Sequence, residues 1–157
     1  MRPDTARPYL VLLGADRRGS SETRQRLQMS RPDWVLHGHV FGNDPAAFPR
    51  GTPVYRGNIA AAPRLRDYRP EQYLRNLIWM DRDRFVGFNL APDDNARILD
   101  MVLADPNARI VLLEPDGMSA SAAARTRASG RYLKTAAAAS VSETIGEIVA
   151  FAEQDIR

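Results

Sequence analysis

Tyr9-Leu-Val-Leu-Leu13 is an unbroken apolar run that stops at Gly14 and passes at once into a polar stretch. A short apolar segment with no polar position suits a strand covered on both faces, unlike the alternating pattern of a sheet open to water. Such a strand needs helices on either side, so the run argues for a layered α/β domain. Ala108-Arg-Ile-Val-Leu-Leu113 is a second strand, apolar from Ile110 onward, and Trp34–His37 and Arg84–Leu90 are further strand candidates. Between them the spacing predicts helices over Glu22–Met29, capped by Ser20 or Ser21, and over Pro70–Met80, Pro92–Ala104, Met118–Ala128 and Ser142–Gln154. Thr52–Arg56 is a short extended piece, and Pro53 does not suit a central strand.

Strands alternating with helices pair in parallel, and ligands of such sheets sit at the carboxyl ends of the strands. The loops after Leu13, His37, Leu90 and Leu113 are therefore expected to share one site. With 157 residues and 44% apolar content, the whole chain, residues 1–157, is expected to form a single domain. A net charge of +3 suits an anionic small molecule and does not indicate nucleic acid. The absence of cysteine excludes a disulfide framework, a thiolate metal site and a cysteine nucleophile. The two histidines stand on one short segment with scattered carboxylates, a spacing that matches no metal site. No apolar run reaches the roughly 20 residues of a membrane helix, and Met1-Arg-Pro-Asp lacks the apolar core of a signal peptide. A cytoplasmic protein with no membrane partner is the expectation.

The loop Gly14-Ala-Asp-Arg-Arg-Gly-Ser-Ser21 carries the clearest chemical signal. A buried strand, a glycine turn and a capped helix present free N–H groups at a positive helix end, which is an anion cradle. Arg17 and Arg18 add charge and forked donors, and Ser20 and Ser21 add hydroxyls. No Gly-Lys-Ser/Thr occurs, so this is not the phosphate loop of an ordinary ATPase or kinase. The plain alternative is a strand–turn–helix junction with two solvated arginines.

That loop resembles the Arg-Ser-Gly-Ser/Thr-Thr loop of sulfotransferases that use 3′-phosphoadenosine 5′-phosphosulfate (PAPS). Phe85-Val-Gly-Phe-Asn-Leu90 resembles a strand of the bacterial carbohydrate and nodulation-type branch, Ile98–Leu113 its helix–turn–strand, and Ala128-Ser-Gly-Arg-Tyr132 its closing motif. The resemblance runs from Tyr9 to Tyr132. It implies a three-layer domain with a central parallel sheet, a P-loop-like sulfotransferase fold. It further implies transfer of a sulfuryl group from PAPS to a hydroxyl or amine of a small molecule or sugar. Arg17, Arg18, Gly19, Ser20 and Ser21 would hold the 5′-phosphosulfate, with Arg17 also neutralising charge in the transfer. His39, in Gly38-His-Val-Phe41, stands where the family has a glutamate and would be the base. His37, two residues earlier, would face the other way if the strand continued.

The chain departs from that pattern in three places. The fourth strand is followed by Glu114-Pro-Asp-Gly117 where the family has arginines for the 3′-phosphate. Ser119 or Ser121 would then take the family's serine role, with Arg125 and Arg127 compensating. The first helix, Glu22-Thr-Arg-Gln-Arg-Leu27, is unusually polar, and Asn89 replaces a lysine. The chain is also shorter than the usual family domain, from which a homodimer or larger assembly is expected. The alternative function is a non-catalytic or repurposed protein on the same frame, binding an anionic ligand or a partner protein.

Overall fold

The structure is a computed structural model that describes residues 7–14, 17–42, 66–80, 83–113, 132–135 and 141–154. Among these residues five strands and four helices follow in the order β1 (Tyr9–Leu13), α1 (Arg17–Ser30), β2 (Val35–His37), α2 (Pro70–Met80), β3 (Val86–Leu90), α3 (Ala96–Ala104), β4 (Ala108–Leu113), β5 (Tyr132–Thr135) and α4 (Val141–Glu153). The sheet has the order β2-β3-β1-β4-β5. Each neighbouring pair is parallel, with Leu10 beside Gly87 and Arg109, and His37 beside Phe88.

Alternation along the strands divides the apolar side chains between two cores. Tyr9, Val11, Leu13, Phe88, Leu90, Ile110 and Leu112 pack against Leu74, Leu77 and Ile78 of α2 and Ile98, Leu99 and Val102 of α3. Leu10, Leu12, Leu36, Val111 and Leu113 face the other way, onto Leu27 of α1 and Ile145, Ile148 and Ala152 of α4. Two helices on each face of a parallel sheet make the expected three-layer α/β domain. The buried β1 ends at Gly14, shortly before α1 begins at Arg17.

Two contacts fix the middle of the sheet. A Cβ on Gly87 would lie 2.8 Å from Leu36 Cδ2, 2.9 Å from Leu10 Cβ and 3.0 Å from the Leu10 carbonyl oxygen, so only glycine fits there. Tyr9, fully buried, donates its hydroxyl to Asp105 Oδ2 at 2.9 Å beyond the end of α3. Burial, then the Asp105 charge and hydrogen bond, hold the phenol well above its ordinary pKa.

The polar α1 has a structural explanation. Its apolar contribution to the core is Leu27, and Glu22, Gln25, Arg26, Met29 and Ser30 are exposed. Gln28 donates to the carbonyls of Arg31 (2.9 Å) and Trp34 (2.7 Å) and accepts from the Leu36 amide (2.9 Å). It thereby satisfies backbone groups of the α1–β2 connection that would otherwise need water. The Arg31 guanidinium, paired with Asp33 and Glu153, lies 4.7 Å over the Trp34 ring.

Several boundaries differ from the sequence reading. Helix α1 begins at Arg17 and not at Glu22, so Ser20 and Ser21 are helical residues and not caps. Ser20 Oγ lies 2.8 Å from where a Cβ on Gly14 would stand, a close approach that a glycine at that position permits. Helix α3 begins at Ala96 and not at Pro92, because Asn95 is its cap: Asn95 Oδ1 accepts the Ile98 amide at 3.2 Å. Strand β5 was not expected, since Tyr-Leu-Lys-Thr is too short and mixed to carry a pattern. The expected extended piece at Thr52–Arg56 and helix at Met118–Ala128 lie outside the described residues.

Candidate functional site at the carboxyl edge of the sheet

Backbone hydrogen bonds bring three strand ends side by side. The Gly14 amide donates to the Leu90 carbonyl at 3.0 Å, joining the exits of β1 and β3. The Asn89 amide donates to the Gly38 carbonyl at 3.2 Å, joining β3 to the exit of β2. The residues that follow these strands therefore share one edge, where parallel α/β sheets place their ligands.

His39 is set by the turn after β2. The Val40 amide donates to Gly38 at 2.9 Å, and the Gly42 amide to His39 at 3.0 Å. Val40 and Phe41 are buried in the α2–α3 core, Phe41 edge-on to Tyr73 and Phe88 with ring centres 5.4 and 5.3 Å away. That packing holds the intervening backbone and leaves the His39 ring 4% exposed. Its Nδ1 lies 2.9 Å from Asp94 Oδ2, and the Asp94 side chain has no exposed surface.

Asp94 is itself fixed on the turn after β3. Its amide donates to the Ala91 carbonyl at 3.0 Å, and its Oδ2 accepts the Ala91 amide at 2.9 Å. An oxygen that accepts a backbone N–H is an acceptor toward His39 too, so Nδ1 carries the proton and donates it. In the neutral form of the ring the lone pair is then on Nε2. That atom is buried, with no protein hydrogen-bond partner among the described residues. A carboxylate that orients the ring and an unpartnered second ring nitrogen are the parts of an acid–base pair.

His37 is a different group. It has no exposed surface, and burial, helped by the Arg24 charge, lowers its pKa to about 3. It stays neutral at physiological pH and fills the end of β2.

At β1 the structure describes the backbone of Arg17 and Arg18 and places residues 17–21 in the opening turns of α1, not in a loop. The first amides of a helix lack intrahelical partners, so the segment still offers N–H groups. Ser20 is 2% exposed, and its Oγ lies 2.8 Å from where a Cβ on Gly14 would stand. Ser21 is half-buried, and the Gly19 carbonyl accepts Thr23 Oγ1 at 3.0 Å. Ser119, Ser121, Arg125 and the Glu114–Asp116 segment lie outside the described residues. The edge also holds two residues that sequence reasoning did not place in the site. Asp94 is one, its signal being an acidic turn directly after a strand. Asn89 is the other: it has no exposed surface, and both amide atoms lack partners among the described residues.

No group of three or more metal-ligating side chains occurs among the described residues. No helix among them is long and apolar enough to cross a membrane. Residues 3–142 match the family described as "Family of unknown function (DUF5927)". The chain belongs to this family. Comparison with curated proteins gives no match. Among solved structures, this DUF5927 chain is similar to a gluconokinase from Sinorhizobium meliloti 1021, at 10% identity and a TM-score of 0.47, over 97% of this chain and 93% of that one. So distant a likeness has no bearing on chemistry.

Proposed function

We propose that this DUF5927 chain is a group-transfer enzyme. His39, held by Asp94, takes the proton from an acceptor hydroxyl or amine, while the β1–α1 junction holds an anionic donor. The observation that carries this reading is the buried His39 Nδ1–Asp94 Oδ2 contact of 2.9 Å, with Nε2 unpartnered among the described residues. A histidine oriented in that way by a buried carboxylate suits proton transfer, and the contrast with His37 supports the reading.

The donor of this proposal is PAPS and the acceptor a small molecule or sugar, which the sequence resemblance supports. The residues at β1 suit the 5′-phosphosulfate end: opening amides of a helix, a buried Ser20 hydroxyl without a partner among the described residues, and a glycine against which it packs. When bound, the donor supplies a sulfuryl group, whose bond to the 5′-phosphate oxygen breaks as its bond to the acceptor forms. The acceptor's proton passes to His39 Nε2, and Asp94 stabilises the imidazolium that results. Arg17 would balance charge developing on the departing phosphate oxygen. The proposal extends to self-association and a cytoplasmic location, and light scattering at micromolar concentration tests the former.

Calorimetry with 3′-phosphoadenosine 5′-phosphate (PAP), the product nucleotide, tests the donor. Binding in the micromolar range is expected, together with wild-type transfer from labelled PAPS to at least one member of a panel of sugars, alcohols and amines. Absence of PAP binding at millimolar nucleotide overturns the PAPS reading.

A further inference from the structure

Among the described residues, Asn89 is the one fully buried amide side chain. It alternates with Phe88 and Leu90, which pack toward α2 and α3. Its side chain therefore lies on the opposite face, the side of its neighbour Leu12 and of α1. An asparagine brings two N–H donors and a carbonyl with two lone pairs. Neither Nδ2 nor Oδ1 has a hydrogen-bond partner among the described residues. On the same face, two residues beyond Leu12, Gly14 receives Ser20, whose buried Oγ is likewise without a partner.

Two buried polar side chains left unsatisfied on neighbouring elements are costly in a native fold. The sequence supplies them where apolar residues would serve stability better. Asn89 is on the sheet face that α1 covers, and Ser20 is in the opening turns of α1, whose unpaired amides form the positive end of a fourteen-residue helix.

We propose that Asn89 and Ser20 form a buried oxyanion site between β3 and the start of α1, taking a sulfate- or phosphate-type group. The Asn89 Nδ2 donates to its oxygens from the sheet side, and the Ser20 hydroxyl and the first amides of α1 donate from the helix side. The positive helix end selects a negative occupant over a neutral one. This deepens the proposed donor site and rests on the reading that the donor lies at this edge. It assigns Asn89, on β3, to holding the transferred group or the phosphate next to it.

The test uses the full chain and two probes, inorganic sulfate and PAP. Binding is read by calorimetry and by thermal unfolding, with chloride at matched ionic strength as control. The wild type is expected to bind sulfate and to unfold at a higher temperature in its presence. Asn89→Val should weaken both probes at least tenfold, while its unliganded unfolding temperature stays equal or rises, because a buried unpaired amide has been removed. Ser20→Ala suits a helix and will fold, and it should weaken sulfate several-fold. His39→Gln should leave sulfate affinity unchanged. Sulfate binding without PAP binding supports the oxyanion site while overturning the PAPS donor. Unaltered sulfate affinity in both Asn89→Val and Ser20→Ala overturns the proposal, as does a wild type that binds no sulfate. A fall in the unliganded unfolding temperature of Asn89→Val with sulfate affinity retained shows a structural amide and also overturns it.

Discussion

Acid should unfold this protein chiefly through His37. The ring is fully buried at the end of β2, and its pKa is lowered from the ordinary 6.5 to about 3, mainly by burial and secondarily by the Arg24 charge. The folded state therefore refuses a proton that the unfolded chain accepts. Above the unfolded value both states are neutral and stability is complete. Between about 6.5 and 3 the unfolded state binds the extra proton, so stability falls as pH falls. Each pH unit in that window costs about 1.4 kcal/mol, and the whole window on the order of 4–5 kcal/mol. That is a large part of the 5–15 kcal/mol typical of a domain. Urea unfolding at pH 7, 6, 5 and 4 measures it. His37→Leu, close in volume, removes the proton while filling the space. The wild type should lose about 2 kcal/mol more than the variant between pH 6 and pH 4, a span in which paired carboxylates act equally on both. Parallel pH profiles for the two proteins would refute the reasoning and place the titrating group elsewhere.

Three further substitutions test the frame that positions the site. Gly87→Ala should destabilise by about 1–3 kcal/mol, because the added Cβ meets the Leu10 backbone oxygen and Cβ, which have nowhere to go; urea midpoints read it, and a neutral result would mean that β1 and β3 are less closely packed. Asn95→Ala should cost about 1 kcal/mol through loss of the α3 cap, measured in the same way. Tyr9→Phe should cost about 1.5–3 kcal/mol, since Asp105 is left buried with one donor fewer, although the Asn107 amide still donates to its Oδ1 at 2.9 Å.

The elements that were legible in the sequence carry their reason for existing within themselves. β1 and the Ile110–Leu113 part of β4 are apolar without interruption because both faces are covered, and α2 shows its buried stripe of Tyr73, Leu74, Leu77 and Ile78 at helical spacing. The start of α1 was not legible. Ser20 and Ser21 are good caps locally, but contact between Gly14 and Ser20 is a tertiary fact. The same holds for α3: placing its start at Pro92 turned Asp94 into an ordinary first-turn acid, whereas Asn95 caps the helix and frees Asp94 to fold back on Ala91. His39 was singled out by its position after the second strand. Its partner stands 55 residues away and is brought to it only by the pairing of β2 with β3. Asn89 read as a missing lysine, and its burial without partners shows only in three dimensions.

The account rests on His39 acting as a base whose tautomer Asp94 sets. Single-turnover transfer from labelled PAPS to an acceptor found active with the wild type, repeated with His39→Gln and Asp94→Asn, tests this most directly. An asparagine at position 94 can keep an amide oxygen on the Ala91 and His39 N–H groups, but it lacks the charge that stabilises the imidazolium formed when Nε2 takes the proton. Both variants should therefore slow transfer by roughly 10²–10⁴-fold, with PAP affinity changed little. Transfer at the wild-type rate by His39→Gln, or by Asp94→Asn, would contradict the account.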